Sequence, residues 1–185
     1  MRIVGGRWRG TGLAALGKGD AAAHLRPTSD KVRESLFNVL EHGGYPALDG
    51  LRVLDLFAGT GALALEALSR GAAEALMIDD GAKSGALIRQ NIERLQCADI
   101  AKLQRRSALK LGGNAGAPYD LIFLDPPYGK GLGERALTAA LAGDWLAAEA
   151  VIVWEESARI TPPERLRIAD QRRYGDTEIT ILRRQ

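Results

Sequence analysis

At 185 residues the chain has the length of one domain with a sizeable core. A single cysteine, Cys97, excludes an internal disulfide and suits a reducing cytoplasm. The two histidines, His24 and His42, make no metal-ligand pattern, and no leader-like or membrane-length apolar stretch is present, so neither metal nor membrane is expected. The formal charge of +2 is unevenly spread: residues 1–33 carry seven Lys or Arg against two acids, 159–185 seven Arg against four acids, and 34–158 eleven basic against seventeen acidic residues. Basic ends around an acidic middle would suit a polyanion gripped at the flanks and a cation held at the centre, and ordinary solvated charge gives the same map.

In chain order, Arg2 to Val4 and Gly12 to Leu16, bracketing Gly5-Gly6 and Gly10, predict a short glycine-rich hairpin. Within it Arg7-Trp8-Arg9 is a basic-aromatic-basic triplet suited to stacking and phosphate contact, or to covering a core edge. Pro27 and Thr28-Ser29-Asp30 then open a helix with Val32, Leu36, Val39 and Leu40 at helical spacing, ended by Gly43-Gly44. Thr28 or Asp30 is the expected cap, and Arg33 or Lys31 can reach a phosphate or a ligand carboxylate. The alternative is a packing helix with an ordinary N-cap.

The strand Leu51–Leu56 runs into Phe57-Ala58-Gly59-Thr60-Gly61, followed by a helix over about 61–70. Gly-x-Gly permits a tight turn and close approach of the backbone to a ligand. Gly59, Gly61 and Ala64 satisfy a dinucleotide fingerprint, so nicotinamide binding and a bare structural turn are both alternatives. Asp55 favours a different ligand: beside a pyrophosphate its charge is repulsive, whereas beside the ammonium and sulfonium of S-adenosylmethionine it is attractive. Asp79, ending the next strand at 75–79, suits a ribose diol under either reading. A helix at 82–95, strands at 102–106, 120–125 and 150–155 and a helix at 133–142 complete an alternation that argues for a doubly wound parallel α/β sheet with ligands at the strand C-termini. Asp55, Asp79, Ser107 and Asp125 all fall at such ends. Trp145 and Trp154 lie in apolar runs and are expected in the core. Leu166–Arg173 and Thr177–Leu182 around Tyr174-Gly175-Asp176 predict a terminal hairpin.

Asp125-Pro126-Pro127-Tyr128, at the end of Leu121-Ile122-Phe123-Leu124, is the most chemically suggestive tetrapeptide. Two prolines remove two N–H donors, leaving a carboxylate and a carbonyl as acceptors beside an aromatic ring. Such a shelf suits a planar NH₂ group. Hydrogen bonds from its two hydrogens to Asp125 and the Pro126 carbonyl would favour a tetrahedral nitrogen, and Asp125 can take the departing proton. The plainer alternative is that the prolines only end a strand.

Together, Asp-Leu-Phe-Ala-Gly-Thr-Gly at 55–61 and Asp-Pro-Pro-Tyr at 125–128 resemble class I methyltransferases that modify exocyclic amines. The opening Met1–Gly10 and the string Leu25–Asn38, with Arg-Pro-Thr-Ser-Asp-Lys-Val-Arg-Glu-Ser-Leu-Phe-Asn, are similar to a narrower group, the RsmD-type bacterial guanine-N2 methyltransferases of small-subunit (16S) ribosomal RNA. The resemblance covers essentially the whole chain. It implies a Rossmann-like, mostly parallel seven-stranded sheet with an antiparallel C-terminal hairpin, in one domain spanning 1–185, of which 1–26 is a basic hairpin extension and 27–185 the catalytic core. It implies S-adenosylmethionine held by Thr28, Asp55, Phe57, Ala58, Gly59, Gly61, Asp79, Asp80, Ser107, Ala108 and Asp125. Asp79 stands where that family usually has glutamate, and Ser107 where it usually has aspartate. Catalysis falls to Asp125, Pro126, Pro127 and Tyr128, and RNA contact to Arg7, Trp8, Arg9, Arg26 and Arg33. The implied setting is a cytoplasmic monomer acting on 16S rRNA in an assembling small subunit. Other readings are a methyltransferase for another amine such as adenine N6, a non-catalytic RNA-binding protein, and a nicotinamide-dependent oxidoreductase.

Overall fold

A computed structural model describes residues 1–15 and 28–184. Its strands β1 (Arg52–Leu56), β2 (Glu74–Ile78), β3 (Ala101–Gln104), β4 (Tyr119–Leu124), β5 (Leu146–Glu156), β6 (Leu166–Tyr174) and β7 (Thr177–Arg184) form a seven-stranded sheet in the order β3-β2-β1-β4-β5-β7-β6. β1 to β5 run parallel, β7 is antiparallel to β5, and β6 is antiparallel to β7. The helices are α1 (Asp30–His42), α2 (Ala62–Ser69), α3 (Ala82–Leu95) and α4 (Leu132–Ala142). The α/β class, the parallel sheet and the antiparallel terminal hairpin are as expected. No helix of the described residues is long and apolar enough to cross a membrane.

The inner strands are apolar on both faces because helices cover both. Strand alternation sorts the side chains into two cores. Val53, Met77, Phe123 and Val153 pack with Leu36, Phe37 and Leu40 of α1, Leu65 and Leu68 of α2 and Ile88 of α3. Leu54, Ile78, Ile122 and Trp154 pack on the other side with Trp145 and with Ala136, Leu137 and Ala140 of α4. Both tryptophans are thus core residues. The chain leaves β1 toward β2 on one side, while β4 lies on the other, so the strand order reverses between β1 and β4. Ligands of open parallel sheets bind at the C-terminal edge of such a reversal.

The expected N-terminal hairpin is reduced to a single antiparallel bridge, Arg2 with Gly12, supported by Ile3 N–H to the Thr11 carbonyl (2.9 Å) and Leu13 N–H to the Met1 carbonyl (3.0 Å). No regular strands form because the backbone between them bonds to α2 instead. Val4 and Gly5 N–H donate to the Glu66 carboxylate (2.9 and 2.8 Å), Arg7 N–H to the Ser69 carbonyl (2.8 Å) and Trp8 N–H to Ser69 Oγ (3.0 Å). Gly6 sits so close that a Cβ would fall 1.9 Å from the Ser69 carbonyl oxygen. Farther along, buried Asn91 of α3 accepts from Ala14 N–H (2.7 Å) and donates to the carbonyls of Ala14 (3.1 Å) and Thr60 (3.0 Å). Residues 1–15 are therefore an arm laid along α2 and fastened at both ends. Leu16, the last residue of the predicted second strand, lies outside the described residues.

Candidate active site

The first wall of the site is the turn between β1 and α2. Phe57, Gly59 and Gly61 all adopt positive φ (63°, 58° and 77°). At Gly61 a Cβ would come within 2.7 Å of Met77 Sδ, so a side chain is barred there by sterics as well as by φ. α2 has no side-chain cap of its own at Gly61. Asp55, reaching from β1, accepts from Ala64 N–H (3.3 Å) in the first turn. Asp79 lies just beyond β2 and closes the other side, its two oxygens accepting from Gly59 N–H and Gly81 N–H (both 2.8 Å). Asp55, Gly59, Gly61 and Asp79 thus form one interlocked unit.

The second wall is the segment after β4. Asp125 is half-buried, Pro126 buried and Pro127 exposed. The Asp125 N–H donates to the Leu56 carbonyl (3.4 Å), tying the segment to the end of β1. Tyr128 keeps its ring 40% exposed while its hydroxyl donates to Glu155 Oε1 (2.9 Å). Glu155, 6% exposed near the end of β5, accepts at Oε2 from Thr28 Oγ1 (2.6 Å). Gly129 N–H donates to Glu156 (3.3 Å).

These carboxylates share one edge and are poorly hydrated. Asp55 is 1% exposed, and burial, opposed by the Ala64 hydrogen bond and reinforced by the Asp79 charge, pushes its carboxyl up to about 8. Burial also holds Asp125 well above the ordinary carboxylate range, helped by the charges of Glu155, Asp55 and Glu156. Glu155 is raised by burial, against the hydrogen bonds from Thr28 and Tyr128. The Tyr128 phenol is raised by burial and then by the Glu155 charge. Among the described residues no Lys or Arg pairs with Asp55, Asp125 or Glu155. Such a centre favours a cationic ligand, which would replace a held proton.

The remaining expectations divide. Ala58 is buried in the turn, its N–H bonded to the Ile78 carbonyl (3.1 Å), and Asp80 is exposed beside Asp79. Ser107 caps a 3₁₀ turn over Ala108–Lys110 and accepts from Leu109 N–H (3.3 Å). Ser29, not Thr28 or Asp30, caps α1, accepting from Val32 N–H (3.3 Å), which leaves the Thr28 hydroxyl for Glu155. Arg33 is corrected outright. It is 0% exposed, its guanidinium donates to Asp30 (2.7 Å) and to the carbonyls of Thr28 (3.3 Å) and Arg2, and it faces Glu66 at 3.5 Å, so it has no surface to offer RNA. Arg7 and Arg9 are exposed and Trp8 half-buried, with the Arg7 guanidinium 4.0 Å from the Trp8 ring. They dock at the C-terminal end of α2, roughly 12 Å along the helix from Gly61 at 1.5 Å per residue. Arg26 lies outside the described residues. Sequence reading overlooked Glu155, although an acidic pair ending the run Val151-Ile152-Val153-Trp154 repeats the strand-end pattern of Asp55 and Asp125.

A family model described as Conserved hypothetical protein 95 matches residues 1–183. Ribosomal RNA small subunit methyltransferase D of Escherichia coli is 41% identical over 156 residues, which cover 84% of this chain and 74% of that protein. The chain belongs to the RsmD-type family. Among solved structures, the RsmD-type chain is similar to yhhF from Escherichia coli, with a TM-score of 0.83, 34% identity and coverage of 100% and 98% of the two chains. A more distant likeness is to magnesium protoporphyrin IX methyltransferase from Synechocystis PCC 6803, solved with bound SAM, at TM-score 0.63 and 18% identity over 84% of this chain and 79% of that one. That likeness is one of fold. The seven-stranded sheet of the RsmD-type chain is accordingly a class I methyltransferase sheet.

Proposed function

We propose that this RsmD-type protein transfers the methyl group of S-adenosylmethionine to the exocyclic N2 of a guanine in 16S ribosomal RNA. The observation that carries the reading is the set of poorly hydrated carboxylates without a basic partner among the described residues, Asp55, Asp125 and Glu155, set between a positive-φ glycine turn and an Asp-Pro-Pro-Tyr shelf. Names of relatives sharing a third or more of its sequence support the ribosomal RNA substrate, and the resemblance in residues 1–38 and 125–128 supports guanine N2.

The residues fit the cofactor. Asp55 and the glycine turn would hold its charged amino-acid end, Asp79 its ribose, and the Ser107–Ala108 turn its base. When bound, the cofactor supplies an electrophilic methyl group on a sulfonium. The protein supplies orientation. Asp125 and the Pro126 carbonyl accept the two amine hydrogens, freeing the nitrogen lone pair to form the new N–C bond as the S–C bond breaks with its electrons to sulfur. The surplus proton passes to Asp125 in its ionised form, which burial and the neighbouring carboxylates make a better proton acceptor than an ordinary carboxylate. The exposed Tyr128 ring offers a stacking face worth about 1–3 kcal/mol to a base turned out of its helix. In this reading the exposed Arg7 and Arg9 and the half-buried Trp8 contact RNA beyond the target base, on a cytoplasmic monomer that needs no metal and meets its RNA in an assembling small subunit.

The deciding experiment maps methylated nucleosides in 16S rRNA from a strain lacking the protein. Loss of one N2-methylguanine, restored by the purified protein with S-adenosylmethionine, is the expected result. Loss of an N6-methyladenine, or of nothing, defeats the reading.

A further inference from the structure

The carboxylate that ties the site together is one the proposed chemistry does not use. Glu155 projects from the end of an apolar strand, buried, with no basic partner among the described residues. A carboxylate in such a place needs hydrogen bonds to offset its lost hydration. Among the described residues it receives two, both from hydroxyls and one to each oxygen: Tyr128 at 2.9 Å and Thr28 at 2.6 Å. The donors belong to segments far apart in sequence, the shelf after β4 and the entry to α1. Thr28 is available because Ser29 performs the capping. Tyr128 is 40% exposed, so packing covers its ring only in part, and its hydroxyl tip is held by the hydrogen bond to Glu155, with Thr177 as a further hydroxyl neighbour.

We propose that Glu155 is a positioning residue for the methyl transfer, clamping the Tyr128 and Thr28 hydroxyls on its two oxygens so that the Tyr128 ring is held at a fixed angle beside Asp125 as the plane on which the target base stacks. The inference rests on the reading of Asp125 and Tyr128 as the amine-binding shelf. Holding a ring in its productive orientation before the base arrives removes an ordering cost from binding, and a base stacked at the wrong angle presents its amino group badly to Asp125. Glu155 touches neither base nor methyl group in this scheme and acts through Tyr128. The plainer alternative is a stitch between β5 and the entry to α1 that matters only for stability.

The two separate in steady-state kinetics on 16S rRNA, with cofactor affinity measured by calorimetry and melting temperature on the same samples. Tyr128→Phe keeps the ring, cuts the tether to Glu155 together with the Thr177 contact, and lies on an exposed side chain, so the fold is not at risk. It should raise KM for RNA roughly three- to tenfold, the size of one lost hydrogen bond, with cofactor affinity within twofold. Glu155→Gln, which still offers an acceptor to Tyr128 and an amide to Thr28, should rescue most of the loss seen in Glu155→Ala. In the cycle of Glu155→Ala with Tyr128→Phe, the second change should have almost no further effect on KM. Full additivity of the two, or Glu155→Ala and Tyr128→Phe variants with wild-type KM and only a lowered melting temperature, overturns the clamp. Asp125→Ala serves as the control. If it is inactive while the Glu155 and Tyr128 variants are neutral, the clamp fails and the shelf survives; if it too is active, the shelf reading has failed first.

Discussion

Two clusters of buried charge lie on the same face of this sheet and are built in opposite ways. In the first, Glu66 of α2 accepts from the Val4 and Gly5 N–H groups and from Arg70 Nε (2.8 Å) and faces Arg33; Arg70 reaches Glu41 (3.0 Å) and lies over the Phe37 ring, and Arg33 reaches Asp30. Every charge there has an opposite beside it. In the second, Asp55, Asp125 and Glu155 have, among the described residues, only one another, backbone groups and hydroxyls. The compensated cluster fastens the N-terminal arm to α2. The uncompensated one leaves the free protein less stable than it could be, as expected of the proposed cofactor site.

The comparison breaks most visibly at Glu66. Glu66→Ala leaves Arg33 buried beside an apolar side chain and releases two arm N–H groups, and should cost about 3–5 kcal/mol, measured by denaturant titration. A loss below 1 kcal/mol would mean that the compensated cluster does not hold the arm. Asp125→Ala should do the reverse, leaving stability and cofactor affinity nearly intact while kcat falls by about two orders of magnitude or more, because the lost interaction orients the reacting amine. Activity within threefold of wild type would reduce Asp125 to a strand terminator.

Asp55 sharpens the contrast through pH. Folded, it keeps its proton up to about 8; unfolded, it releases it near 3.8. Between those values the folded state binds the extra proton, so stability falls as pH rises, by up to about 1.4 kcal/mol per pH unit, and this contribution levels off above about 8. Asp55→Asn should flatten that slope in a pH series of thermal melts, raise the melting temperature of the free protein at pH 8, and abolish S-adenosylmethionine binding. An unchanged slope would show that Asp55 is ionised in the fold. The smallest effect is expected at the arm. Replacing Arg7 and Arg9 with alanine should lower the salt dependence of RNA binding by about one to two units of slope, with melting temperature unchanged. Trp8→Ala should weaken binding without altering the slope. A double-arginine variant with the wild-type slope removes the arm from the RNA interface.

Most of the sheet was legible because its strands are short apolar runs bounded by glycine, proline or acidic residues, and strand-end carboxylates pointed directly to Asp55, Asp79 and Asp125. Arg33 was misjudged for a reason of range. Its neighbours Lys31 and Asp30 suggest a solvated basic turn, while Glu66, the carboxylate that draws it inward, is far away in sequence and gives no local sign. The hairpin was overread because glycine spacing predicts a reversal but not which backbone groups will turn to α2. Thr28 or Asp30 is the cap expected from sequence, and no local signal shows that Ser29 caps while the Thr28 hydroxyl turns to Glu155, far away in sequence.

One consequence concerns the rims of the sheet. β3 exposes a strand of only four residues, which includes Lys102, whereas β6 is nine residues long and would be a template for fibre growth if it were flat and neutral. Its register shifts between Ile168 and Asp170, and Arg167, Arg172 and Arg173 stand exposed along it. A bulge and charged side chains, Asp170 paired with Arg172 among them, disfavour docking of a second molecule's strand there. The same arginines that make the C-terminal segment basic therefore also disfavour edge-to-edge pairing of two copies of the chain, whether or not they ever meet RNA.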